Sequence, residues 1–137
     1  MKNIIVLFFI LTAFLGINFT GAGGGLFLNA GMQAQAAEYK QVQALHILVP
    51  TEQEAIKIRE EIMAGKDRSE IFNNFMSAAK KYSKCPSGSS GGILGWFGKG
   101  DMVPEFETAA FNLPDGQVSE PVKTPYGWHL IYVISKK

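Results

Sequence analysis

Three residues bear groups whose placement suggests acid–base or nucleophilic chemistry: Cys85 in a glycine- and serine-rich stretch, and His46 and His129 within apolar runs. Cys85 lies near the start of KCPSGSSGGILGWF, residues 84–97, and is the only cysteine of the chain. It can therefore form no disulfide within the chain. With two histidines far from it and from each other, there is no metal-ligand spacing either. Cys85 is then either a functional thiol or a small buried apolar residue. A thiol hydrolase would need a thiolate beside a base and a third, orienting group. The sequence supplies such residue types without a local signature, and Cys85-Pro86 reads as a turn rather than a thiolate-activating helix start. His46 lies within ALHILV and His129 within GWHLIYV. One histidine in an apolar run is usually structural; two, in separate strands, invite another explanation. If the strands are neighbours, both imidazoles can face one side and form a hydrogen-bonded polar patch with the thiol and Thr124.

Other reactive constellations are missing. GGILGWFGKGD lacks the first glycine of a phosphate loop, since Ile93 stands there and Gly100 follows Gly98-Lys99. There is no G-x-S-x-G and no H-E-x-x-H. The carboxylates fall on helix flanks and turns, where solvated charge accounts for them.

The elements that must position these groups follow from the sequence pattern. YKQVQALHILVP reads as a strand stopped by Pro50. Thr51-Glu52-Gln53-Glu54 matches a capping box that opens a helix with Ala55, Ile58 and Ile62 on its apolar face and Gly65 at its end. A second helix is expected over residues 69–82, with a stripe of Ile71, Phe72, Phe75, Met76, Ala79 and Tyr82. A short strand over 93–97 follows, then a helix opened by Pro104. LPDGQ is a turn, a short strand starts at Val118, and residues 126–135 form the last strand. Strand, helix, helix, strand, helix, strand, strand packs naturally as an antiparallel sheet flanked by helices.

The 137 residues allow one domain and an appendage. Residues 4–19 are uncharged and nearly all apolar behind a basic start, and Ala34-Gln35-Ala36 fits a cleavage site. Residues 1–37 are therefore expected to be a signal peptide, or else an uncleaved anchor, and 38–137 the domain. Both readings put the domain outside the cytoplasm, in the periplasm or secreted; the region has no cysteine for a lipid. Lys2 is the only charged residue before Glu38, so the domain's Lys and Arg balance its Asp and Glu. That balance gives no basis for nucleic-acid binding, which needs a concentrated basic face.

LHILV, YSKCPSGSSGGILGWFGKGDMVPEFETAAFNL and TPYGWHLIYV resemble the parvulin peptidyl-prolyl cis/trans isomerases, from about residue 42 to the carboxyl terminus. The resemblance implies an α+β fold, with a four-stranded antiparallel sheet surrounded by about four helices. It implies catalytic roles for His46, Cys85, Thr124 and His129. Cys85 takes a position held in the family by cysteine or aspartate, and Thr124 the threonine bonded into the histidine network. Leu94, Met102 and Phe106, with Phe97 beside them, match the pocket for the substrate's proline ring; from the residues alone Leu94, Met102 and Phe106 read as ordinary core. The implied activity is non-covalent rotation of X-Pro bonds in exported proteins, without cofactor or metal, by a monomer whose partners are unfolded or partly folded polypeptides containing proline. Membrane contact is expected only through an uncleaved N-terminal segment. A peptide-binding chaperone module without turnover is the other expectation. Where phosphate-directed members carry a basic loop, this chain has Pro50-Thr51-Glu52-Gln53-Glu54, which argues against phospho-specificity. The stretch between Gly65 and Lys80 is longer than in compact members and is expected to lengthen the second helix.

Overall fold

The computed structural model describes residues 38–137. The N-terminal apolar segment and its cleavage site lie outside the described residues. Among the described residues no helix is long and apolar enough to cross a membrane.

The chain runs through β1 (Gln41–Val49), α1 (Glu52–Met63), α2 (Arg68–Tyr82), a 3-10 helix (Pro86–Ser90), β2 (Ile93–Gly98), α3 (Pro104–Asn112), β3 (Val122–Thr124) and β4 (Gly127–Lys136). The four strands form one antiparallel sheet in the order β2-β1-β4-β3. The expected helix count of about four is met only by including the five-residue 3-10 turn with the three α-helices.

Successive residues of a strand face opposite sides of a sheet, and the two central strands use both. Leu45, Ile47 and Val49 of β1 join Leu130 and Tyr132 of β4 in a core with Ala55, Ile58 and Ile62 of α1 and Phe75, Ala78 and Ala79 of α2. Val42 and Ala44 of β1 join Ile131 and Val133 of β4 on the other face, under Phe106 and Ala110 of α3. The sheet is thus the middle of three layers. Among the described residues its second face is covered by one short helix, which leaves room there for a cleft.

Local chemistry sets the ends of the elements. Thr51 caps α1 by accepting the Glu54 amide proton at 3.3 Å, and Pro104 opens α3. In place of the reciprocal bond of a capping box, the Glu54 carboxylate accepts the Thr51 hydroxyl at 3.3 Å. α2 runs unbroken for 15 residues behind an Asp67 cap. The strand expected from Val118 is reduced to a single bridge to Tyr132, and β3 begins only at Val122. Ser119 explains the gap. Its carbonyl accepts Arg59 Nε–H at 2.9 Å, while its hydroxyl accepts the Ile131 amide at 2.9 Å. Pro121 then has no N–H for the ladder.

Candidate active site

β1 and β4 are neighbours, and their register decides where the histidines meet. Leu48 pairs with His129 and His46 with Ile131, so the two histidines are diagonal partners on the α3 face. Their rings stack with centroids 5.3 Å apart, and His46 Nδ1 lies 3.2 Å from His129 Nδ1. Both are buried.

The polar contacts extend from this pair in both directions. His129 Nε2 lies 2.8 Å from Thr124 Oγ1, which also accepts the Tyr126 amide at 3.2 Å. His46 Nε2 lies 3.0 Å from Ser87 Oγ, and Ser87 Oγ donates to Cys85 Sγ at 3.3 Å. The facing Nδ1 atoms can share only one proton. The polarity that uses every hydroxyl proton runs from Thr124 to His129, on to His46, then to Ser87 and the sulfur. Each ring then carries one proton and is neutral. Burial, and secondly the adjacent His129 ring, push His46 down from 6.5 to about 4. Burial pushes His129 down as well. Both imidazoles are therefore uncharged at neutral pH.

Backbone geometry holds the chain of contacts in place. Beyond Leu45 the edge of β1 is taken over by the glycine-rich loop, with His46 N–H donating to Gly92 O at 2.8 Å. Gly92 has φ 81°, and a Cβ there would run into the His46 carbonyl. Further along, Lys84 N–H donates to Leu48 O at 2.8 Å and Leu48 N–H to Ser83 Oγ at 3.1 Å. These bonds fix the approach to Cys85. On the other side, Pro125-Tyr126 form the two-residue turn between Thr124 and Gly127. Gly127 has φ 137°, and a Cβ there would meet Val49 O at 2.7 Å.

Above the histidines lies a cleft of about 450 Å³. Its apolar wall is Leu48, Leu94, Met102, Val103 and Phe106; Cys85, Pro86 and Tyr126 stand on the remaining sides, with Lys84 and Asp101 at the rim. Leu94 reaches it because β2 is bulged: Ala44 pairs with Gly95 but Leu45 with Ile93, leaving Leu94 as the extra residue. A bulge of that kind re-aims a side chain. Phe106 joins the two regions, its ring edge-on to His46 at 5.7 Å and to His129 at 5.3 Å.

His46, Cys85, His129, Leu94, Met102 and Phe106 thus share one cleft, and Thr124 sits beneath His129. Phe97 does not line it. It is buried behind Phe106, ring centroids 5.9 Å apart, because it pairs with Val42 and points into the core under α3. Cys85, expected in a turn, is the residue that opens the 3-10 helix, since Pro86 suits a first helical position. Ser87, Tyr126 and Val103 belong to the site without a motif in the sequence that marks them. A serine two residues after the cysteine gave a weak signal, because only the 3-10 turn brings its hydroxyl between thiol and imidazole.

Comparison with known proteins bears on this geometry. A family model for rotamases, the PPIC-type PPIASE domain, matches residues 46–135. The chain belongs to that family. It is 47% identical over 98 residues to the foldase protein PrsA of Geobacillus kaustophilus, covering 71% of this chain and 32% of the relative. Among solved structures it is similar to a SurA-like chaperone of Campylobacter jejuni, one of a pair formed by the virulence factor PEB4 and a periplasmic protein. That match has TM-score 0.69 and 41% identity, covering 73% of this chain and 40% of the other. It is also similar to the parvulin of Nitrosopumilus maritimus, with TM-score 0.59 and 38% identity, covering 70% of this chain and 97% of that one. The chain spans about a third of the length of the PrsA it matches. As a member of the rotamase family it has the parvulin-like sheet in the expected place.

Proposed function

We infer that the chain is a peptidyl-prolyl cis/trans isomerase acting on X-Pro bonds of unfolded or partly folded polypeptides outside the cytoplasm. The observation that carries this reading is the apolar cleft resting directly on a neutral hydrogen-bonded chain of buried groups. Rotation about the peptide bond is opposed by about 18–20 kcal/mol of resonance and sterics, and the spontaneous X-Pro reaction takes tens to hundreds of seconds. No bond must be made or broken. What is required is an environment that favours the twisted amide over either planar form.

Leu94, Met102 and Phe106 would grip the proline ring, whose burial contributes on the order of 1.5–3 kcal/mol. The same wall excludes the water that solvates the polar planar amide. Beneath it, Cys85, Ser87 and the imidazoles offer hydrogen bonding without a full charge as the carbonyl turns. Cys85 acts as a polar neighbour and not as a nucleophile. Nor is the site built for phosphate. Among the cleft residues Lys84 is the single cation, without an arginine, whereas phosphopeptide recognition uses arginine clusters. Every group named here comes from one chain, so a monomer suffices. Location outside the cytoplasm rests on the apolar segment before Glu38 and on the periplasmic protein among the similar structures.

A protease-coupled assay with an Ala-Pro-Phe peptide tests the reading. The full chain is expected to accelerate cis-to-trans conversion in proportion to its concentration. Peptide binding with no rate above background would leave a chaperone module.

A further inference from the structure

The cleft carries two charges, and they stand on different sides of it. Lys84 is exposed beside Cys85 and Pro86, and Asp101 is exposed beside Met102. Neither takes part in a salt bridge among the described residues. Asp101 is held in place, its Oδ2 accepting the Gly98 amide at 2.7 Å, which leaves Oδ1 for a partner. The backbone of Lys84 is fixed on Leu48 O, while its side chain is free to reach into the cleft. Lys84 also borders a second hollow lined by Glu54, Lys57, Glu61 and Lys81. Those four charges cancel, so Lys84 is the uncompensated charge among the residues that line this hollow.

A bound X-Pro peptide has a direction in this frame. The rotating carbonyl belongs to the residue before proline and must lie on the polar side, by Cys85 and Ser87. The ring lies by Met102 and Phe106. In that pose the side chain before proline would come within reach of Lys84, the neighbour of Cys85, and the residue after proline within reach of Asp101, the neighbour of Met102.

Resting on the isomerase reading, and adding a substrate class to it, we propose that Lys84 and Asp101 are specificity-determining residues that select peptides with an acidic residue before the proline and a basic one after it. A single ammonium matches a single carboxylate. Exposed pairs of this kind are weak and screened by salt, so the preference is modest and strongest at low ionic strength.

The test compares kcat/KM of the full chain for Glu-Pro, Gln-Pro and Lys-Pro peptides at low salt, in the natural protein and in Lys84→Glu. The expected order is Glu, Gln, Lys, with about a fivefold span. Lys84→Glu should invert that order, and 0.5 M salt should flatten it. Asp101→Asn, which keeps the acceptor for Gly98, should remove discrimination between Lys and Glu after the proline. An unchanged order in Lys84→Glu overturns the proposal. Should no peptide be turned over, the isomerase reading falls. The charge order is then read from binding of the same peptides, followed by NMR shifts of Tyr126 and His129, and a binding order that Lys84→Glu leaves unaltered overturns the proposal equally.

Discussion

Acidification should destabilise the molecule through His46. His46 is 6% exposed, and each of its nitrogens already has a partner, His129 Nδ1 at 3.2 Å and Ser87 Oγ at 3.0 Å. A second proton on the ring would set two N–H groups against each other or displace Ser87. Burial and the His129 ring accordingly lower His46 from 6.5 to about 4. Because the folded value lies below the unfolded one, the unfolded chain binds a proton between those limits that the native chain refuses. Stability from this source is complete above pH 6.5 and is lost as pH falls towards 4, below which the loss levels off. A fall of that size corresponds to about 3 kcal/mol, a large part of the 5–15 kcal/mol of an ordinary domain. His129, also lowered by burial, acts with the same sign. Urea unfolding of the full chain between pH 4 and 8 should show the loss, and His46→Asn should show a shallower slope. NMR titration of the ring proton gives the direct reading, with half-protonation expected near 4. A midpoint near 6.5, or identical slopes in the two proteins, would mean that the buried His46 is not held neutral by its surroundings.

Further consequences concern the contacts around the pair. Ser87→Ala removes the hydroxyl that links thiol and imidazole, and a hydrogen bond of this kind is worth about 1 kcal/mol; prolyl turnover should fall roughly fivefold while KM changes little, and Ser87→Thr should restore part of it. Cys85→Asp keeps an acceptor for the Ser87 hydroxyl and should retain much of the activity, whereas Cys85→Ala should lose some. A thioester trapped with a peptide would contradict the non-covalent assignment. Gly92→Ala forces a side chain onto the His46 carbonyl at a left-handed φ; it should cost about 2 kcal/mol or more in chemical denaturation and disturb the histidine signals.

Much of this was legible in the sequence because periodicity reports burial. Ala55, Ile58 and Ile62 recur at helical spacing, and all three are buried on α1. The alternation along β1 and β4 put both histidines on one face, and the register of the two strands brought the rings together. What escaped depends on single hydrogen bonds or single inserted residues. Ser119 hands its carbonyl to Arg59 and so ends a strand that its neighbours favour. The Leu94 bulge changes which face that side chain takes without altering composition. Phe97 looks like its neighbours in the glycine-rich run, but strand parity sends it behind Phe106. The 3-10 turn that seats Ser87 is too short to carry a period of its own.

In the proposed mechanism an apolar cradle, not a reactive group, drives the rotation. Equilibrium exchange NMR on an Ala-Pro peptide measures this without a coupling protease. Met102 is half-buried in the cleft wall and packs against the edge of the α3-side core without being one of its buried members, so Met102→Ala should leave the fold intact. The catalysed exchange rate should fall about tenfold, matching the loss of roughly 1.4 kcal/mol of ring contact. An undiminished rate in a folded Met102→Ala protein would contradict that mechanism.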